Sequence, residues 1–381
     1  MPRPLSALES LPSELLDEVI FYLSGSPPSL ASFHQPPSPR MVRHGTRDLK
    51  NLARVSLRLH EVALPPLFTH ACFNLEDIDD FLAFVASSDL KQYVSSLVVK
   101  GKDTPGERDD PLWWRRVLSC LDPLRVTVIA PPRFLGAMLD TPIMEGHSWA
   151  FEVPLQVLQL ERDSRERDPM LSSQIEEPSS LLDTRSWSSL SFNESSSLKA
   201  YNHYEYFLFQ VPSLIREWGS TAATPSCPEQ LFLSLSLNNL TSFQYTAVFP
   251  FYNHVKLVLN AVSLMTSLRT LRVQLAPCRN DKAIELEQRG SMDPSDPWME
   301  LATGYSLIAQ AVRDLADVGR LVTFSSGDYD FDALRSELAP ILYDVLNDHE
   351  WLHDGHGTWV KKKVSPLGIA TDSITAVDTV V

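Results

Sequence analysis

Apolar residues recur at helical spacing over residues 11–24, LPSELLDEVIFYLS, where Leu15, Leu16, Val19, Ile20, Tyr22 and Leu23 fall on neighbouring turns. Together they cover more than the stripe of about 100° that a one-sided surface helix needs. Pro12 suits a first turn, Glu14, Asp17 and Glu18 stand where the helix dipole favours negative charge, and Ser24, Gly25 and Pro27-Pro28 end the element. The pattern continues over residues 48–68. Asp48 caps a short helix carrying Leu49, Leu52 and Ala53, and Ser56 caps another that presents Leu59, Val62 and Ala63 and stops at Pro65-Pro66. Helices this short draw their stability from tertiary packing, and three of about ten residues cannot bury so much apolar surface among themselves. The surplus falls to the rest of the chain or to another protein.

From Phe68 onward helices alternate with strands. Helical spacing predicts helices over 75–89, with Phe81, Leu82 and Val85 on one side, and over 111–122, 132–139, 247–265, 304–318 and 331–346. Short β-branched or alternating runs predict strands over 93–101, 125–131, 154–161, 231–240 and 267–275, and residues 349–362 read as a hairpin turning at Asp354-Gly355. Several strands are Leu-rich, and the first gaps between them are about 30 residues, within the range of leucine-rich α/β repeats. The expected fold is therefore α/β. A short N-terminal helical unit, 1–70, would precede an irregular leucine-rich-repeat-like solenoid, 71–362, with a curved parallel sheet and helices on its outer side. A non-repetitive α/β domain with Leu-rich strands is the alternative. The polar stretches 161–199 and 279–300 read as loop excursions, 24–47 as a Pro/Ser-rich mobile loop, and 363–381 as a flexible tail.

Composition narrows the function classes. A net charge of −15 disfavours nucleic acid as a main partner, because neutralising phosphates needs a basic balance. No apolar run reaches the length that spans a bilayer. Cys72, Cys120, Cys227 and Cys278 lie too far apart for a zinc knuckle or redox motif and read as reduced thiols. These features fit a cytoplasmic or nuclear protein without membrane contact.

Residues 8–20, LESLPSELLDEVI, and 48–63, DLKNLARVSLRLHEVA, resemble an F-box, the small helical unit that docks on the Skp-type adaptor of cullin–RING ubiquitin ligases. The resemblance implies that Leu11, Pro12, Leu15, Leu16 and Val19 face the adaptor or brace the helix that does, with similar roles for Leu49, Leu52, Val55 and Leu59. It further implies a substrate-recognition subunit of an SCF-type ligase, reaching a cullin through the adaptor and holding a target protein with residues 71–362. The alternative is a non-ligase interaction scaffold whose N-terminal helices cap the α/β domain. Family members join the first two helices by a few residues, and this chain departs from that with its 24–47 stretch.

Catalytic chemistry finds no foothold. No glycine-rich phosphate loop or G-x-S-x-G elbow occurs, so neither an enzyme nor a cofactor is expected. His353-Asp354-Gly355-His356 reads as a hairpin turn rather than a metal site, since further ligands are missing nearby. His203 and Glu205 in YNHYEYF are too isolated for acid–base work, and Tyr201, Tyr204, Tyr206, Phe207 and Phe209 read first as packing groups and second as a protein-binding patch.

Overall fold

The computed structural model describes residues 6–24, 33–38, 41, 46–102, 110–163, 177–224, 228–278, 285, 290–346 and 351–362. The predicted tail beyond 362 and Cys227 lie outside these residues. Among the described residues the chain opens with the helices α1 (Ser13–Ser24), α2 (Arg47–Leu52) and α3 (Leu57–Phe68). Ser56 caps α3 as its sequence position suggests, accepting from the Leu59 N–H. Asp48 instead lies in the first turn of α2, whose N-cap is Thr46. Pro65 and Pro66 sit inside α3 rather than ending it. The helix closes within one more turn, so few carbonyls lose a donor.

Ten strands form one sheet, β1 (His70–Asn74), β2 (Ser96–Lys100), β3 (Arg125–Ala130), β4 (Gln156–Glu161), β5 (Ser189–Ser196), β6 (Ser242–Val248), β7 (Thr270–Gln274), β8 (Thr323–Ser326), β9 (Trp351–His353) and β10 (Thr358–Lys361). Spatial order follows chain order except that β10 lies between β8 and β9. The intervening helices are α4 (Ile78–Ser87), α5 (Trp113–Cys120), α6 (Pro132–Met138), α7 (Ser148–Phe151), α8 (Leu214–Ala223), α9 (Pro228–Leu237), α10 (Tyr252–Ser263), α11 (Asp296–Asp317) and α12 (Asp332–Leu346).

The solenoid expectation is corrected here. Strand β4 runs antiparallel to both neighbours, and β10 is antiparallel to β8 and β9. Chain between β3 and β4 returns to the end it left, pairing Ala130 with Gln156, instead of crossing behind the sheet as a repeat unit must. Strand spacing is uneven as well, with long insertions before β6 and β8. The molecule is a non-repetitive α/β domain built on one mixed sheet.

Individual elements explain the misreading. Residues 231–240, LFLSLSLNNL, alternate like a strand yet form α9, and Leu231, Phe232 and Leu235 are left exposed on it. The sheet position is taken by β6, SFQYTAV, whose alternation reads equally well as β. The stretch read as a loop excursion over 161–199 contains β5, a central strand. Helices α8 and α10 approach so closely at Gly219 that an added Cβ would stand 2.0 Å from the Leu257 carbonyl oxygen. The C-terminal hairpin forms as read, with Gly355 and Gly357 at φ of +85° and +91°.

Candidate interaction surface on the open face of the sheet

The sheet separates side chains by parity. One parity, including Val128, Leu158, Leu190, Phe192, Phe243, Tyr245, Leu271, Val273 and Phe324, enters the main hydrophobic core with residues of the helices. The other parity is polar across the middle of the sheet. Register aligns Thr127, Gln159, Ser191, Gln244, Arg272 and Ser325 in one row, and Arg125, Glu161, Ser189, Ser242, Thr270 and Thr323 in the row before it. At the β3–β4 side this face bonds internally. Thr127 Oγ1 donates to Gln159 Oε1 at 2.9 Å, Gln159 Nε2 donates to Glu161 Oε1 at 2.5 Å, and Arg125 pairs with Glu161 at 2.9 Å. From β5 to β7 it does not. Among the described residues, the side chains of Ser189, Ser191, Ser242, Gln244, Thr270 and Arg272 have no hydrogen-bond or ion-pair partner. They line a groove of about 380 Å³ together with Phe33 and His34.

Those last two residues belong to the Pro/Ser-rich stretch between α1 and α2. Its described part does not hang free. Residues 33–38 and 41 pack on the open face beyond the groove. Phe33 and Met41 are buried against Val98, Ile129, Leu155 and Val157 in a second, smaller core. Asn193 Nδ2 donates to the carbonyls of Phe33 (2.6 Å) and Gln35 (3.0 Å), and Cys278 Sγ donates to the His34 carbonyl at 2.7 Å. Burial, and then the nearby Arg272 charge, hold the His34 imidazole down at about 4, against a hydrogen bond with Gln274. The imidazole is therefore neutral near pH 7.

Two buried acids stand at strand ends. Glu194, on β5, accepts from Tyr245 and lies 2.7 Å from His254 Nε2. Burial works to raise this carboxyl, but the His254 charge and hydrogen bonds from His254, Ser213 and Tyr245 hold it below its ordinary value. Asp328 accepts from Tyr305 (2.5 Å) and from the N–H groups of Leu275 (2.6 Å) and Ala276 (3.1 Å), and burial pushes it up to about 6. Both are sealed from solvent and face the helices, so they tie strand ends to α10 and α11 rather than meeting a substrate. His353 is likewise engaged, its Nε2 accepting from the Gly357 N–H (3.1 Å) and its Nδ1 lying 2.6 Å from the Tyr343 hydroxyl. Among the described residues, no group of three potential metal ligands converges.

The nine positions that the resemblance gave to facing an adaptor or bracing the helix that does divide between buried and exposed places. Leu16, Leu49 and Leu59 are buried among the N-terminal helices, Leu11 and Leu52 are half-buried, and Pro12 is exposed. Leu15 (46% exposed), Val19 (38%) and Val55 (66%) face solvent. The YNHYEYF aromatics divide too. Tyr201 is buried and hydrogen-bonded to the Phe249 carbonyl, while Tyr204 and Phe207 are exposed, and Trp149 packs edge-on against His203. Trp113 and Trp114 are both core residues, with the Arg115 guanidinium 5.5 Å from the Trp114 ring centre. The open sheet face went unread because it needs β5 and the correct β6, the two strands that the pattern misassigned.

No family model, no curated protein and no solved structure matches this chain. The F-box resemblance is not upheld, and the ligase-subunit function that followed from it falls with the repeat fold.

Proposed function

We propose that this protein is a non-catalytic interaction scaffold, whose N-terminal helices cap the α/β domain and whose open sheet face receives a partner protein. One observation carries this reading. Six adjacent polar side chains on β5–β7 are unpartnered among the described residues, in a groove beside a place where the same face already holds a turn and the short irregular stretch after it, residues 33–38. A solvated sheet face is ordinary, but one whose side chains grip main-chain carbonyls is equipped for peptide recognition. The capping role is supported by α3, which runs directly into β1 at the sheet edge. There Leu64 and Phe68 pack on the main core, and the Thr69 carbonyl accepts from Ser95 and Ser96.

Site-specific photocrosslinking tests it. A leucine-sized diazirine residue at Ser242, on the open face and small enough to leave the groove open, should yield discrete protein adducts in cells of the source organism. The same residue at Lys256, exposed on α10 over the opposite face, should not. Equal adducts from both positions, or adducts from Lys256 alone, would overturn the proposal.

A further inference from the structure

The groove has a charge preference, and it identifies the kind of segment that fits. Arg272 lines it from β7, exposed, with Gln244 beside it on β6 and Ser325 on β8. Among the described residues its guanidinium has no ion-pair partner. Glu161 is the one acid lining the groove, and it is already paired with Arg125 and bonded by Gln159. Every other lining side chain is neutral, including His34, whose proton affinity burial and then the Arg272 charge lower. A chain of net charge −15 thus presents, on this face, an uncompensated cation ringed by hydroxyls and an amide. Guanidinium binds carboxylate and phosphate through two parallel N–H donors, and Ser and Thr hydroxyls supply further donors to the same oxygens.

Adjacent strands lie about 4.8 Å apart, so the span from β5 to β8 matches about four residues of extended chain. At residues 33–35, in a turn and bend, side chains of the domain already hold main-chain carbonyls over this face of the sheet. Resting on the scaffold reading above, we propose that the groove binds an extended acidic segment of a partner protein, with a carboxylate or phosphate seated on Arg272. The Ser189, Ser242 and Thr270 row then contacts the segment's main chain.

Fluorescence anisotropy with the full chain and labelled hexapeptides tests this. Three probes are used, alternating Val with Glu, with phosphoserine, and with Gln. The Glu or the phosphoserine peptide should bind at least tenfold tighter than the Gln peptide, and the tighter of the two identifies the anion. Arg272→Gln should weaken binding of that peptide tenfold or more, and Arg272→Glu should abolish it. Arg313→Gln, on α11, should leave it unchanged. Ser242→Trp should block binding by filling the groove while keeping the charge, which guards against an unfolded Arg272 variant. Equal affinity for the Gln peptide, equal affinity of the Arg272→Gln variant, or no binding of either anionic peptide would overturn the inference. Adducts at Ser242 that persist in Arg272→Gln would show that the charge assignment alone fails and the scaffold reading stands.

Discussion

The two faces of the sheet obey the same period-two rule and end in opposite states. On the helix-covered face, Phe192 and Phe243 are fully buried in the main hydrophobic core. On the open face, Ser191 and Gln244, one position along the same strands, line the polar groove with Phe33 and His34 of the N-terminal region. Burial of apolar area is what holds the first face, at about 25 cal/mol per Å², whereas the second contributes little to stability and keeps its donors available. Stability and recognition are therefore carried by alternate residues of the same strands.

Substitutions can break this contrast in order of size. Phe192→Ala should destabilise the chain by about 3–5 kcal/mol in urea unfolding, from lost transfer energy and an unfilled cavity. Glu194→Ala should cost a similar amount, about 3–5 kcal/mol, because it strands His254 in a sealed site. Adding His254→Ala to it should recover part of the loss, as coupled neighbours do.

Acid sharpens the comparison, because one titrating group sits on each side. Asp328, on the helix side, has a folded pKa of about 6 against an ordinary 3.8. Its contribution is fully present below 3.8 and is lost as pH rises through 6. His34, on the open side, has a folded value of about 4 against 6.5, so its contribution is present above 6.5 and is lost as pH falls through 4. Each shift corresponds to about 3 kcal/mol, and the two oppose each other between pH 4 and 6.5. Urea unfolding across that window should show Asp328→Asn losing stability on acidification relative to the parent, and His34→Ala gaining it. Parallel pH profiles for all three proteins would refute the assignment.

Phe33→Ala should act locally. Removing a buried Phe side chain is worth about 1.5–3 kcal/mol, which is enough to release residues 33–38 and 41 while the sheet stays folded. Hydrogen exchange or limited proteolysis confined to that segment would report it. Ser242→Ala, at the small end, should shift stability by no more than about 0.5 kcal/mol. A larger loss would mean that the open face is structural after all.

Local pattern made most helices legible. The spacing of Leu16 and Ile20, of Val85, and of Leu334, Leu338 and Leu342 follows from the 3.6-residue repeat, and each of these residues is buried. Strands β2, β3, β4 and β7 were legible for the same reason, as was the turn at Gly355. The strand directions were not. A parallel and an antiparallel neighbour bury the same alternate residues, so β3 and β4 look identical in sequence whichever way β4 runs. LFLSLSL and SFQYTAV compete for one place in the sheet on nearly equal terms, and packing against α8 and β5 decides between them.

The amino-acid sequence by itself determined an acidic α/β chain, most of its helix positions, several of its strands and the parity of their side chains, because these depend on neighbours within a few residues. Tertiary structure alone decided that β4 reverses, that β5 and β6 complete the sheet, and that Phe33 returns to it over a separation of 160 residues from Asn193. Only that long-range assembly places Arg272 among unpartnered hydroxyls, since contacts between strands far apart in sequence leave no periodic trace within any one of them.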